Sequence, residues 1–368
     1  MRQTTIVLLM MALAIFSNGC QQHTLKIFTP DNENFQYAGR TDRLSDGNVV
    51  LIGSAASVTL RFTGDSCNVS LKIGKNGSDY NYVSIAVDSV YLTKVKIASD
   101  TAIWYHIPVT GKAKEHTVTV YKSTESMIGD IIFGGAEVDN LLLPPALPEK
   151  KIEFIGNSIT CGVGIDWKLI PCGSGEYQDQ HNSYWAYGPR VARAVHTQFM
   201  LSSVSGIGIY RTWNMNGPSM PEVYGNRYLN TDKSKKWDFS RFRPDVVSIC
   251  LGTNDMSEGD SIHVRKPFSP EMFVNHYISF VDTIYKYYPD VQVALLNSPI
   301  LDSTKNAVLM DCLHKVAGHF NEQPVAQPIR VFEFHDIQGH GCGGHPDKDD
   351  QAKMAGELVP FFKQLLNE

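Results

Sequence analysis

Nowhere in this 368-residue chain do five lysines or arginines run together, and the formal net charge is −5. A nucleic-acid partner therefore finds no electrostatic footprint, and that class of function is excluded. No Cys-x-x-Cys pair and no His-rich spacing occurs, so neither a metal site nor any other cofactor is expected. Long apolar runs are scarce too. Ile6 to Phe16 is apolar with only small or sulfur-bearing interruptions, but a mature membrane-spanning helix needs about 20 such residues. What is present suits an ordinary globular protein. An apolar fraction of 43 % and a charged fraction of 19 % allow a sizeable core, and the length suits two domains.

Arg2 followed by the apolar run reads as a signal peptide over residues 1–20. It ends in Ser17-Asn18-Gly19-Cys20, which resembles a bacterial lipobox, with Ser17 in place of the usual leucine. The resemblance implies an exported lipoprotein lipidated at Cys20, held in the periplasm or at the outer membrane or cell surface. That anchor would be the only membrane contact. Six cysteines remain. Cys67 and Cys250 lie in apolar, strand-like runs that suit buried thiols. Cys161, Cys172 and Cys342 flank the motifs below, and one loop-pinning disulfide among them is expected, in a pairing that spacing alone leaves open.

From residue 21 to 143 the pattern is strand-like. Val49–Ile52, Ser57–Phe62, Cys67–Ile73, Tyr82–Val87 and Thr117–Tyr121 are short runs, several of them alternating, with Lys75-Asn76-Gly77 and Thr110-Gly111-Lys112 read as turns. Such runs without a helical stretch predict an antiparallel sandwich or jelly roll. No catalytic constellation occurs in this half, which reads as a packing or carbohydrate-contacting accessory module. Prolines 144, 145 and 148 stiffen a linker over 144–150. The period then changes over 151–368. Lys151–Ile155, Asp245–Leu251 and Val291–Leu296 read as strands, whereas Tyr184–Val195, Phe273–Tyr288 and Gln351–Leu366 read as helices. Strands alternating with helices predict a doubly wound α/β domain around a parallel sheet, with its site beyond the strands' carboxyl ends.

Four blocks carry possible chemistry. The first is Gly156-Asn157-Ser158-Ile159-Thr160-Cys161-Gly162, placing a serine on a tight strand-to-helix turn. Alone it is as readily a helix cap. The second is Ser203-Val204-Ser205-Gly206-Ile207-Gly208, whose glycines let a backbone N–H approach an oxyanion or simply make a turn. In the third, Leu251-Gly252-Thr253-Asn254-Asp255, Asn254 can aim its amide at developing negative charge; turn formation is the alternative. The fourth is His345-Pro346, where the proline keeps His345 extended and outside the helix that follows. His335 and His340 read as solvated or structural.

In this order the blocks resemble those of the SGNH (GDSL-like) hydrolases, over 151–368. The resemblance implies a three-layer α/β domain with Ser158 as nucleophile and His345 as general base. It places the oxyanion donors at the Ser158 N–H, the Gly208 N–H and Asn254, with Gly206 as the donor in a shifted register. A sandwich ahead of such a domain is similar to the family two carbohydrate esterases, which deacetylate plant polysaccharides. Asn182–Tyr187, Ser205–Arg211 and Cys342–Pro346 agree with that group. Asn157 replaces the usual aspartate. The acid expected three residues before the histidine is replaced by Cys342, and Gly343 is not acidic either. The expected mechanism is therefore a Ser-His dyad whose imidazole is oriented by a carbonyl of the 342–344 loop, with Asp336 as the alternative orienting acid.

The expected partner is an acetylated polysaccharide or oligosaccharide. Trp213, Tyr210, Trp185 and Tyr187 are candidates for sugar-stacking walls, although core packing is the commoner fate of large aromatics. Two other readings stand beside this one. A lipase or thioesterase would want a broad apolar groove, and a non-catalytic carbohydrate-binding lipoprotein would explain the missing acid.

Overall fold

Side-chain parity explains the N-terminal half. A computed structural model describes residues 25–110, 113–322 and 327–367; the signal segment with Cys20, and Gly111 and Lys112 of the expected turn, lie outside the described residues. Ten strands follow one another here: β1 (Lys26–Phe28), β2 (Gln36–Ala38), β3 (Thr41–Arg43), β4 (Val49–Leu51), β5 (Ser57–Gly77), β6 (Asn81–Val87), β7 (Val90–Ile97), β8 (Ile103–Pro108), β9 (Glu115–Lys122) and β10 (Gly129–Leu142). They form one antiparallel, folded-over sheet in which the long strands β5 and β10 run side by side.

The runs 57–62 and 67–73, expected as separate strands, are two parts of β5. Val58, Leu60 and Phe62 are buried before Gly64, whereas Cys67, Val69 and Leu71 are buried after it. Gly64 has φ +97°, and there the partner of β5 changes from β9 to β8. A left-handed glycine thus carries one strand from one layer into the other. Lys75 to Gly77, expected as a turn, also belongs to β5, with Gly77 opposite Gly129.

After the linker the chain builds β11 (Lys151–Gly156), α1 (Ser158–Cys161), α2 (Tyr187–Ala194), β12 (Gln198–Ser203), α3 (Met220–Val223), β13 (Val246–Cys250), α4 (Pro270–Tyr287), β14 (Gln292–Leu296), α5 (Ser303–Asn321), β15 (Arg330–Phe332) and α6 (Lys348–Leu365). The five strands are parallel in the order β12-β11-β13-β14-β15. Both faces of β13 and β14 are buried, which is why they read as unbroken apolar runs. Phe273, Tyr277, Leu309 and Leu313 of α4 and α5 join Val247 and Ile249 on one face. Val191, Met354, Leu358 and Phe362 of α2 and α6 join Phe154 and Leu201 on the other. These are the three layers expected. The stretch read as one helix from 184 is instead a 3-10 turn, Ser183–Trp185, then extended Ala186, then α2. The first three strands bring blocks one, two and three to adjacent strand ends, where the chain order reverses.

The two halves meet through buried polar groups. Arg40, between β2 and β3, is completely buried inside the α/β half. Its guanidinium donates to Ser202 Oγ (3.2 Å) and to the carbonyls of Asn226 (2.9 Å) and Tyr224 (3.0 Å). Ser202 in turn donates to the buried Glu153 carboxylate at 2.6 Å, so positive and negative charge are relayed across one hydroxyl. Burial depresses the arginine pKa while Glu153 supports its charge. Removing one member strands the other in a dry interior. We expect Arg40→Met to lower unfolding stability by about 3–5 kcal/mol in urea titration at neutral pH, and a loss below about 1 kcal/mol would contradict this account.

Candidate active site

The first block turns as tightly as its sequence suggests. A Cβ at Gly156 would collide with Thr160 Oγ1, so only glycine fits. Asn157 caps the turn, its Oδ1 accepting the Ile159 N–H at 3.0 Å. The helix that follows is a single turn, closed by left-handed Gly162 (φ 83°, ψ 38°). The helix dipole behind the serine is accordingly that of one turn only. Ser158 is 8 % exposed, and the other residues of the turn are more deeply buried still.

His345 reaches Ser158 from the far end of the chain. Its Nε2 lies 2.8 Å from Ser158 Oγ, and its Nδ1 lies 2.8 Å from the Cys342 carbonyl oxygen. A donor on Nδ1 leaves Nε2 as the acceptor, which is the tautomer that can take a hydroxyl proton. Among the described residues no carboxylate hydrogen-bonds to the ring. Asp336 is engaged elsewhere through its backbone, its carbonyl accepting from Lys353 Nζ at 2.6 Å. His335 is exposed beside Glu357, and His340 pairs with Asp350 at 2.9 Å.

The loop bearing that carbonyl is held from several sides. A disulfide joins Cys342 to Cys172, 170 residues earlier, and settles the open pairing; Cys161 stays a buried thiol, as do Cys67, Cys250 and Cys312. Gly343 and Gly344 both take left-handed φ (65° and 73°). The Gly341 N–H donates to the His345 carbonyl at 2.7 Å. Just beyond, Asp347 accepts the N–H groups of Asp349 and Asp350 to cap α6, and the Trp167 indole N–H at 3.0 Å.

The second and third blocks interlock. The Val204 N–H donates to the Gly156 carbonyl at 3.2 Å, and Asn254 Nδ2 donates to the Ile207 carbonyl at 2.8 Å. That bond orients the Asn254 amide and leaves it a second N–H. Neither the Gly206 nor the Gly208 N–H meets a protein acceptor among the described residues. The two glycines differ in why they are glycine. Gly206 has φ +74° with its nearest neighbour at 3.8 Å, whereas a Cβ on Gly208 would collide with Asp255 and the Arg211 carbonyl.

Asp255 was legible only as a turn former, yet it organises this corner. It is fully buried and accepts from the N–H groups of Ile209, Tyr210 and Arg211. Burial pushes its pKa up to about 6 against those three bonds.

Of the four aromatics considered as sugar walls, three have other work. Tyr187 is completely buried and bonds Thr160 Oγ1 at 2.9 Å. Trp185 is half-buried between Arg190 and Lys348, and Tyr210 packs on Phe268 and Phe273. Trp213 remains, 51 % exposed, with its backbone N–H on the Gly206 carbonyl at 2.7 Å.

Comparison with known proteins agrees with this layout. Residues 37–145 match the carbohydrate esterase 2 N-terminal family, and residues 154–340 match the GDSL-like lipase/acylhydrolase family. An acetylxylan esterase/glucomannan deacetylase of Cellvibrio japonicus is 26 % identical over 355 residues, covering 94 % of this chain and 92 % of its own. A family two carbohydrate esterase from Clostridium thermocellum, solved in complex with cellohexaose, is 26 % identical with a TM-score of 0.79, covering 90 % of this chain and 99 % of its own. A second such structure, from Cellvibrio japonicus, shares the fold at 24 % identity and a TM-score of 0.80, covering 94 % and 98 %.

Burial disfavours a charged imidazole and draws the His345 pKa below 6.5, while the Cys342 carbonyl pulls it back in part. Proton NMR titration of the ring should find its midpoint below 6.5, with the neutral form dominant at pH 7. A midpoint above 6.5 would contradict the geometry.

Proposed function

Since the chain belongs to the GDSL-like lipase/acylhydrolase family, we propose that it is a serine esterase removing O-acetyl groups from plant polysaccharides of the xylan or glucomannan kind. The observation that carries the chemistry is the relay Ser158 Oγ, His345 Nε2, His345 Nδ1, Cys342 O, with both hydrogen bonds at 2.8 Å. The substrate class follows from likeness to the acetylxylan esterase/glucomannan deacetylase and from the pairing of the two domains.

In this mechanism His345 takes the Ser158 proton as Oγ attacks the acetyl carbonyl. The tetrahedral oxyanion is received by the Ser158 N–H, the Gly208 N–H and the free N–H of Asn254. The protonated imidazole then hands its proton to the departing sugar hydroxyl, leaving an acetyl group on Ser158. Water, deprotonated by the same imidazole, attacks that ester and acetate leaves. Where a triad loses tautomer control, turnover falls about 10⁴-fold. Here the Cys342 carbonyl supplies that control by accepting the Nδ1 proton.

One feature favours a lipid or thioester instead. The surface by the second and third blocks exposes Ile262 (83 %) and Val264 (87 %), with Met215 and Trp213. Acyl-chain preference separates the readings, because a lipase or thioesterase favours long chains.

Acetate release from acetylated xylan and from a small aryl acetate tests the proposal. Ser158→Ala should lose at least about 10⁴-fold in kcat on both substrates. Asp336→Ala should keep wild-type kcat; its inactivation in a folded protein would replace the dyad by a triad. Silence toward both acetates would bring forward the non-catalytic carbohydrate binder.

We also propose an exported lipoprotein anchored through Cys20, supported by the lipobox-like end of the apolar leader. Radiolabelled palmitate should enter the wild type expressed in a Gram-negative host but not Cys20→Ala, and equal labelling would refute the anchor.

A further inference from the structure

Glu125 belongs to the sandwich half, three residues past the end of β9, and is completely buried. Its carboxylate faces the other domain. Oε2 accepts the Ser205 N–H at 2.6 Å, and Oε1 accepts the Ser205 hydroxyl at 2.5 Å. The Cys161 thiol approaches Oε2 at 3.6 Å, and the Tyr177 hydroxyl donates to Oε1 at 3.4 Å. Ser205 directly precedes Gly206 in the second block. Cys161 ends the one-turn helix that Ser158 begins. One side chain from a neighbouring domain therefore grips both the nucleophile turn and the loop that carries the expected oxyanion N–H.

The grip has its own support. Lys122 is also fully buried, and its Nζ donates to the Glu125 carbonyl at 2.6 Å, to the Thr124 carbonyl at 3.2 Å and to Thr124 Oγ1 at 3.1 Å. The backbone carrying Glu125 is thereby fixed. Burial raises the Glu125 pKa, and the Ser205 bonds and the Lys122 ammonium oppose that rise. An apolar contact would join two domains without desolvating a carboxyl group. What the carboxylate adds is direction, a two-point hold on one residue's N–H and hydroxyl.

We propose that Glu125 is a positioning residue for ester hydrolysis, holding the 205–208 loop so that its backbone N–H meets the oxyanion. It touches no reacting atom and acts through Ser205. This rests on the serine-esterase reading above. An oxyanion donor must lie about 2.7–3.1 Å from the developing charge, so a loosened loop penalises the transition state more than substrate binding.

Glu125→Met, which removes both bonds at similar side-chain length, and Ser205→Ala, which removes one of the two, test this in the mature chain. Glu125→Met should lower kcat on the aryl acetate about 10- to 100-fold with KM within about twofold. In hydrogen–deuterium exchange the segment 203–208 should exchange faster, while β11 stays protected. Ser205→Ala should fall between wild type and Glu125→Met in both readouts. A folded Glu125→Met with unchanged kcat overturns the proposal, since a merely structural tie moves only the melting temperature. Unchanged exchange over 203–208 overturns it as well. If Glu125→Met fails to fold, Ser205→Ala decides by the same two readouts. A wild type that hydrolyses no ester overturns the esterase reading separately, and exchange at 203–208 then decides whether Glu125 holds the loop.

Discussion

The imidazole of His345 makes two hydrogen bonds of equal length, one to a serine hydroxyl and one to a backbone carbonyl. A carbonyl differs from a carboxylate in what it can do for a ring. It fixes the tautomer and the orientation, yet offers a dipole rather than a full charge to an imidazolium. It also cannot adjust by side-chain rotation, because its direction is that of the chain. The orientation of the ring therefore depends on how rigidly residues 341–347 are held. Two left-handed glycines, a disulfide, the close approach of Gly164 and the cap of α6 all act on that short stretch. A mobile carboxylate tolerates a loose loop; a main-chain acceptor does not.

The boundary between the halves obeys a related constraint. Lys122, Glu125, Arg40 and Glu153 are all completely buried there, where an unpaired charge would be unaffordable. Arg40 and Glu125 are matched by partners in the other half, Lys122 by its own turn, and Glu153 by the hydroxyls of Ser202 and Tyr224. Such an interface does not slide, because a shift of an ångström breaks several directional bonds together. The sandwich is in this respect a wall of the catalytic domain rather than a module beside it. β6, buried along both faces, shows the same thing in its composition, since Tyr82 and Ser84 donate across the boundary to Asp179 and Asn182 while Val83 and Ile85 fill the sandwich core.

How much of this could be read from sequence depended on range. The apolar run ending in Gly252-Thr253-Asn254-Asp255 announced a buried strand with a polar tip, and β13 is that strand. The four blocks carried the superfamily because each is local. Strand β5 was divided in error because its buried parity slips at Gly64, and a slip resembles a break until pairing partners are known. Helix α5 opens with Ser-Thr-Lys-Asn, and its apolar face begins only at Leu309, so it escaped notice along with the short strand β15. Glu125 gave no signal, since its partners lie 36 and 80 residues away and nothing in the strand-rich half announced chemistry. The disulfide was foreseen as one among three cysteines; only the fold could choose Cys172 with Cys342.

That bond also orders events in time. Cys172 is made long before Cys342, and the loop between Gly341 and Asp347 cannot be fastened until almost the whole chain exists. The five strands of the sheet, helices α1 to α5 and the nucleophile turn all precede that loop in the chain; only α6 follows it. Closing the bond is chemically distinct from folding, because joining two thiols removes two electrons and needs an oxidant. A chain kept where thiols stay reduced retains both its serine and its histidine but loses the covalent fastening of the loop that aims the base.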